Sequence, residues 1–239
     1  MGCFTGQVER VGNTRIFARA TRDAKQFLVY QMEYSAANDV ALILPLPVPP
    51  NTGQEAVQFI RLSGYDNFFA EMENGFPLTR NAPVSGNHTK HAAANLVGSF
   101  EASFIPSQQE LVGLDVPFRI PTELWNQFPE YSDFGFAVFK LRAGTNVVQP
   151  LALEFPMRNP QLLFFPTVEI RNEQAPEEVS FDHDLFCQAR AGWLRSYDVA
   201  NSFMRIPETH GIVSADERIS RMTVQGAHPN SDILVGLRA

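Results

Sequence analysis

Residues 27–50, FLVYQMEYSAANDVALILPLPVPP, constrain the fold more than any other part of this chain. From Phe27 to Tyr34 the side chains alternate with a period of two and one side is apolar, which is typical of a strand. After a polar turn, residues 40–44 predict a returning strand that is apolar on both faces. The prolines that follow cannot lie inside a helix or donate to a central ladder. The segment therefore predicts an antiparallel hairpin.

A second hairpin is predicted at 134–155, where FGFAVFKL and the apolar run 147–155 are joined by the turn residues 143–146. The two hairpins share a pattern, which either an internal duplication or convergent hairpin chemistry would explain. Further strands are predicted at 14–18, 96–105, 162–170, 179–187, 217–225 and 233–237. Helices are predicted at 54–60 after a capping box, at 66–75, from 107 and at 122–128, with helix-like spacing also at 193–204.

Length and composition indicate a sandwich-like fold with a core rich in phenylalanine. The chain has 239 residues and 20 phenylalanines, whose rings bury large areas without needing a polar partner. We expect an α+β fold of mainly antiparallel β-sheets with a few covering helices, forming one compact domain over residues 1–239. Two similar lobes, 1–80 and 96–239, around a polar loop at 77–95 are the alternative organisation.

The charge and the cysteine count exclude several classes of function. A net charge of −7 with only three lysines repels phosphate backbones, so a nucleic acid partner is not expected. Two cysteines are too few for a disulfide scaffold, and the opening residues contain no secretory signal, so we expect a cytoplasmic protein. No apolar run reaches the ~20 residues of a membrane span. Dinucleotide, Walker and nucleophile-elbow motifs are missing from the sequence, so no cofactor is predicted.

Cys3 is the first candidate catalytic residue because of its position. The opening CFTGQVERVGNTRIFARATRD is similar in outline to that of N-terminal nucleophile hydrolases, in which the first mature residue is the nucleophile and its own amine is the base. The resemblance implies a cysteine amidase that uses Cys3, with Arg19 as a second candidate catalytic residue. Gly2 precedes Cys3, so this chemistry requires the removal of Gly2. A small structural thiol is the alternative interpretation.

His88 and His91 form an H-x-x-H pair that one helical turn would bring together as metal ligands. Zinc needs a third or fourth ligand, and no other histidine stands at ligand spacing, so two solvated histidines are the alternative.

The segment FDHDLFC contains four other candidates, Asp182, His183, Asp184 and Cys187. If it forms a strand, His183 and Cys187 share one face and both aspartates share the other. These positions place His183 and Cys187 ~13 Å apart, too far to share a proton or a metal. A half-buried strand with one satisfied histidine is therefore the structural alternative to a reactive site.

Several phrases of this sequence resemble a family of uncharacterised bacterial proteins. They are CFTG, VALILPLPVPP, PLALEFPMRNP, LFFPTVEI and FDHDLFCQ, and together they extend over most of the chain. The resemblance implies a single continuous architecture, and the family has no assigned activity that could be carried over to residues.

The sequence contains no converging catalytic set, which favours a non-catalytic binding or assembly protein. Its expected partner is another protein or a second copy of the chain, because the aromatic content is high. The cysteine amidase and the histidine metal site are the competing hypotheses.

Overall fold

The computed structural model describes residues 2–76, 101–189 and 192–237, together with the backbone of residues 95–97, which form a strand. Strands are the dominant element of the described chain and lie mainly in two antiparallel-rich β-sheets, and its helices are short. The predicted α+β class with mainly antiparallel, sandwich-like sheets is therefore confirmed. The predicted loop at 77–95 lies outside the described residues except for Asn95, which begins a strand.

Fifteen strands form the sheets of the described residues. They are β1 (Cys3–Phe4), β2 (Arg10–Ala20), β3 (Lys25–Ala36), β4 (Val40–Leu46), β5 (Gln58–Arg61), β6 (Asn95–Val97), β7 (Glu101–Ile105), β8 (Gly135–Leu141), β9 (Gly144–Val148), β10 (Leu151–Pro156), β11 (Leu162–Phe165), β12 (Glu178–Cys187), β13 (Leu194–Val199), β14 (Arg218–Pro229) and β15 (Ile233–Gly236).

The helices of the described residues are all short. They are α1 (Phe68–Glu73), α2 (Thr122–Trp125) and the 3-10 helices Gln54–Ala56, Gln108–Gly113, Val116–Phe118, Pro129–Asp133, Ala200–Ser202 and Ile206–Thr209. The helices predicted at 66–75 and 122–128 are present as α1 and α2, while the one predicted from 107 is a 3-10 helix. No helix of the described residues is long and apolar enough to cross a membrane.

The strands form two large sheets and one ribbon. Sheet A has the order β1-β4-β8-β7, and sheet B has the order β13-β14-β12-β2-β3-β10-β5, with β9 and β6 added beside β3. The pairs β12–β2 and β6–β9 are parallel, and the other pairs in these sheets are antiparallel. Strands β11 and β15 form a separate two-stranded antiparallel ribbon.

Among the described residues, three large apolar clusters alternate with the two sheets as layers. The central cluster lies between the sheets and contains alternate residues of both, such as Leu42 of β4 and Leu28 of β3. The intervening residues point outward, so Ile43 joins a cluster under residues 105–136, and Val29 joins a second cluster under α1. Strand β4 and the strands β3, β8 and β10 are therefore buried on both faces, which explains why β4 reads as a continuous apolar run.

Both predicted hairpins are wrong, although their strands exist. In each case the two strands lie in different sheets: β3 in sheet B and β4 in sheet A, then β8 in sheet A and β10 in sheet B. The partners are exchanged instead, since β3 pairs with β10 and β4 pairs with β8. Because every one of these strands is buried on both faces, its pattern does not show which neighbour it pairs with.

Two predicted helical segments are extended instead. Residues 58–61 form β5, an edge strand paired with β10, and residues 194–199 form β13, the opposite edge of sheet B. In both cases a 3-10 turn lies beside the strand, and the capping box predicted at 52–55 coincides with one such turn, Gln54–Ala56, rather than with a helix. Tertiary pairing overrides the local helix pattern in both segments.

Pro45 lies within β4, where it pairs with Phe136 of β8. The other neighbour of β4, the two-residue strand β1, reaches only Leu42 and Ile43. Strand β4 is therefore an edge strand at Pro45, and the missing N–H of the proline removes no bond from a central ladder.

Candidate protein-binding cleft

A cleft of about 290 Å³ lies over one face of the β11–β15 ribbon. Leu162, Phe164 and Leu234 form its floor, because alternate residues of both ribbon strands point to this side while Leu163 and Phe165 point into the central core. The remaining lining residues are Gln26, Pro47, Glu130, Phe134, Phe155, Met157, Arg158, Asn159, Ser231 and Asp232. The lining is mainly apolar, with a few polar groups at defined points.

Arg158 holds one wall of the cleft in place. Its Nε donates to the carbonyl of Val48 at 2.9 Å, and its two terminal nitrogens donate to the carboxylate and the carbonyl of Asp133 at 2.8 and 2.6 Å. The guanidinium lies 4.9 Å from the ring centre of Phe134, a cation–π contact. Arg158 therefore fixes the chain after β10 to the turn that precedes β8, and each of its three nitrogens donates within the protein.

Asp232 joins the ribbon to the segment that follows β11. Its Oδ1 accepts hydrogen bonds from the backbone N–H groups of Thr167 and Val168 at 2.8 and 3.1 Å, and its Oδ2 accepts from the hydroxyl of Tyr131 at 2.5 Å. Burial raises the pKa of Asp232 to about 6, although all three hydrogen bonds favour the charged form. Burial also raises the pKa of the Tyr131 hydroxyl, which therefore remains a donor.

The neighbouring Asn230 extends the same connection. Its Oδ1 accepts from the N–H of Glu169 at 2.7 Å, and its Nδ2 donates to the carbonyl of Glu169 at 2.8 Å. Thr167 Oγ1 also donates to the carbonyl of Ser231 at 2.8 Å. The side chains of Asn230 and Asp232 and the carbonyl of Ser231 thus replace a strand partner for residues 167–169, and they make the wall of the cleft rigid.

The cleft can hold apolar side chains but contains no nucleophile and base arranged for catalysis. Glu130 and Asp232 are the carboxylates among its described lining residues, and no cysteine or histidine lines it. Its volume is at the lower end of the roughly 300–1,000 Å³ of small-molecule pockets, which suits one or two side chains of a bound segment.

Cys3 lies beside this region but is inaccessible. Strand β1 is bordered by β4 on one side and by Ile170 on the other, and Cys3 is fully buried. Burial raises the pKa of the Cys3 thiol well above its usual range, and the nearby Asp232 adds to the shift. The thiol is therefore protonated at neutral pH, the unreactive form. The amidase role of Cys3 stays a prediction, and this geometry gives it no support.

Arg19 is not brought to Cys3. Its guanidinium donates to the carbonyls of Ile212, at 2.6 Å, and of Gly211, and lies 5.0 Å from the ring centre of Phe27. These residues lie on the outer side of sheet B, whereas Cys3 belongs to the cluster on the outer side of sheet A. In the described structure Arg19 anchors the loop after the 3-10 helix Ile206–Thr209.

The candidates on β12 follow the predicted alternation. His183 and Cys187 are buried on the side of the central core, and burial lowers the pKa of His183 to about 2 and raises that of Cys187 to about 12. On the other face, Asp182 accepts from the N–H of Asn13 at 3.0 Å, and Asp184 pairs with Arg221 at 2.9 Å. The strand is confirmed, while the functional role of these residues stays a prediction.

His88 and His91 lie outside the described residues, so the metal site stays a prediction. Within the ranges that the structure describes, no group of three or more histidine, cysteine, aspartate or glutamate side chains is arranged for a metal ion.

Sequence reasoning missed Arg158, Tyr131 and Asp232. Their partners are far away in the chain, since the Tyr131–Asp232 bond spans 101 residues. The one local signal is the arginine two residues after the proline-ended strand β10, in the phrase FPMRNP.

No family model and no curated protein matches this sequence. The structure, in contrast, is similar to that of a baculovirus protein. The crystal structure of baculovirus P35 superposes with a TM-score of 0.57 over 98% of this chain and 100% of P35, at 10% sequence identity. This chain has the fold of P35.

Two further P35 structures agree. The caspase-8/P35 complex matches with a TM-score of 0.52 over 95% of this chain and 96% of that chain. A mutated P35 after caspase cleavage matches with a TM-score of 0.50 over 94% of this chain and 99% of that chain, and both comparisons give 10% identity. The P35 fold is thus shared along almost the whole chain, while the side chains are almost entirely different.

Proposed function

We propose that this chain is a non-catalytic protein that acts by binding another protein, and that a caspase is the partner to test first. The observation that carries the proposal is the shared fold over 98% of the chain with P35, which has been crystallised in complex with caspase-8. A shared fold alone does not define function, so the proposal also needs a surface that can bind a partner.

The cleft over the β11–β15 ribbon is such a surface. It is apolar, open to a partner's side chain and fixed by Arg158 and Asp232, and these are properties of a preformed binding site. The two thiols of the chain are buried and protonated, and His183 is neutral at physiological pH, so these groups favour packing over catalysis.

The test uses the full chain and purified active caspase-8. We expect a complex with a dissociation constant in the micromolar range or tighter by biolayer interferometry, and reduced hydrolysis of a fluorogenic peptide by the protease. Gel electrophoresis of the same mixture shows whether this chain is cut. Absence of a complex at about 10 μM of both proteins would exclude caspase-8 as the partner.

A cleft-filling variant tests where the partner binds. Ser231 is exposed at the edge of the cleft, so Ser231→Trp places a large ring in the opening while leaving the backbone carbonyl that Thr167 uses. We expect at least about tenfold weaker binding for Ser231→Trp, whereas the matched control Ser231→Ala binds as the unmodified chain does. Equal binding by both variants would place the partner on another surface.

A further inference from the structure

The hydrogen bonds of Gln26 show which way the peptide groups of the ribbon point. Gln26 is buried, and its side chain donates to the carbonyl of Phe164 at 2.7 Å and accepts from the N–H of Phe164 at 2.9 Å. The N–H and the C=O of Phe164 therefore both point away from β15. In an antiparallel pair, such a residue and the one opposite form a non-hydrogen-bonded pair, whose peptide groups point outward on both strands.

The register then assigns the free edge of β15. Leu234 lies opposite Phe164, and Gly236 lies opposite Leu162, two residues further along. The next bonded pair is consistent with this register, since Leu237 N–H donates to the carbonyl of Gln161 at 2.8 Å. The N–H and C=O groups of Leu234 and Gly236 therefore project from the outer edge of β15. No strand of the described residues pairs with that edge.

The same edge is accessible and borders the cleft. Leu234 is 57% exposed while also lining the cleft, and a Cβ atom added to Gly236 would meet no atom within 4 Å. Unpaired strand edges next to an apolar pocket are the surfaces that bind extended peptides by strand addition.

We propose that the outer edge of β15 binds an extended segment of a partner protein as an added strand, with one apolar side chain of that segment in the cleft. The inference rests on the proposed function and specifies its binding mode. Backbone bonds to Leu234 and Gly236 hold the segment, and the cleft selects its side chain. Alternate residues of an added strand point to the same face as Leu234, which is the face that carries the cleft.

Charge defines the partner segment further. Glu130 and Asp232 line the cleft, and the one cationic side chain among the described lining residues, Arg158, is bound to Asp133 and Val48. The chain as a whole carries −7 charges, which disfavours a second copy as the occupant. A four-residue edge also spans only ~13 Å, too little for the ~1,200 Å² of a stable dimer interface. The fitting occupant is a foreign segment with apolar and basic side chains.

The test selects random seven-residue peptides displayed on phage against the full chain, and the enriched sequence is then synthesised. We expect an apolar residue alternating with basic residues. On binding, the amides of Leu234 and Gly236 become protected from hydrogen exchange, whereas that of Val235 already faces β11. Leu234→Pro removes one outward N–H and weakens peptide binding about tenfold or more.

Matched controls separate the edge from general effects. Leu234→Ala keeps the N–H and loses only side-chain contacts, and Leu194→Ala removes a leucine of similar exposure, 50%, from the edge strand β13 and leaves binding unchanged. If Leu234→Pro does not fold, N-methylation of alternate peptide residues replaces it, since these methyl groups abolish strand addition to the unmodified protein.

Failure of this inference is distinct from failure of the proposed function. No enriched peptide, equal binding of the N-methylated peptide, or a dimer that Leu234→Pro converts to monomer would each overturn strand addition at β15, whatever caspase-8 does. Peptide binding at β15 without a caspase-8 complex would retain strand addition and exclude that protease as the partner.

Discussion

At the scale of single residues, Asp232 combines a structural role with an unusual charge state. Its carboxylate accepts three hydrogen bonds from residues 64 to 101 positions away, and burial still raises its pKa to about 6. The ordinary value for aspartate in an unfolded chain is near 3.8. Between pH 3.8 and about pH 6, Asp232 is therefore protonated in the folded protein and ionised in the unfolded chain.

The raised pKa of Asp232 makes the free energy of unfolding depend on pH. Because the folded-state pKa is raised, the contribution of Asp232 to the free energy of unfolding is fully present below about pH 4 and is lost as the pH rises through 6. Asp232→Asn retains an oxygen acceptor and replaces the charge, so it removes this contribution. We expect the free energy of unfolding of the unmodified chain, minus that of the variant, to fall by about 1–3 kcal/mol between pH 4 and pH 7.

Urea unfolding at a series of pH values measures this difference. The exposed Asp216→Asn is the control for the loss of one surface carboxylate. A difference that rises with pH for Asp232→Asn would contradict a raised pKa.

The residue scale also shows the limit of sequence reasoning. The alternation of β12 placed His183 and Cys187 correctly on one face, because a period of two is a local property. Arg158 and Asp232 were missed because their roles depend on partners brought together by the fold. A buried carboxylate that accepts from distant backbone groups leaves no periodic signal in its own segment.

At the scale of elements, β7 and β8 pack so closely that a glycine is required at the start of β8. A Cβ atom on Gly135 would overlap the ring of Phe104 and lie 3.1 Å from a methyl group of Val48. Since the ring of Phe104 is buried in the central cluster, it has little room to move. The close approach is thus a packing requirement at the edge of sheet A.

Gly135→Ala should therefore destabilise the protein by about 1–3 kcal/mol, measured as the change in the free energy of unfolding in urea. Adding Phe104→Leu should recover part of the loss, because it removes the overlapping ring atoms. Gly53→Ala is the control, since Gly53 has φ of −70° and open space around it, and it should change stability by less than about 0.5 kcal/mol. A neutral Gly135→Ala would show that sheet A adjusts there.

Elements were predicted better than their partners. Strands β3, β4, β8 and β10 are all present near the expected positions, yet both hairpins between them are wrong. A strand covered on both faces carries no sign of which neighbour it bonds to, and a polar turn joins two sheets as readily as two adjacent strands. The helix predicted at 54–60 failed because pairing with β10 favours an extended chain there.

At the scale of the whole molecule, the fold class was predictable because composition and period define it. Twenty phenylalanines and repeated alternation require layered sheets with buried faces. The likeness to P35 was not predictable from the sequence, since at 10% identity the shared property is the arrangement of layers rather than any set of residues.

Strands β3 and β4 follow each other in the chain but lie in different sheets, and so do β8 and β10. We therefore predict that both sheets unfold cooperatively. Leu28 is fully buried in the central cluster that both sheets share, so Leu28→Ala should cost about 2–5 kcal/mol. Far-ultraviolet and near-ultraviolet circular dichroism should report one coincident transition in the variant and in the unmodified chain. The exposed Leu194→Ala should change stability by less than about 0.5 kcal/mol. Two separate transitions would show that the two sheets unfold independently.

The parallel pairing of β2 with β12 has a consequence for synthesis on the ribosome. Asn13 of β2 and Asp182 of β12, which bond to each other, are 169 residues apart. At roughly 5–20 residues per second, the amino-terminal strand waits on the order of ten to thirty seconds for its partner to be translated. During that interval the nascent chain presents an open apolar border, the kind of surface that holding chaperones shield until translation is almost complete.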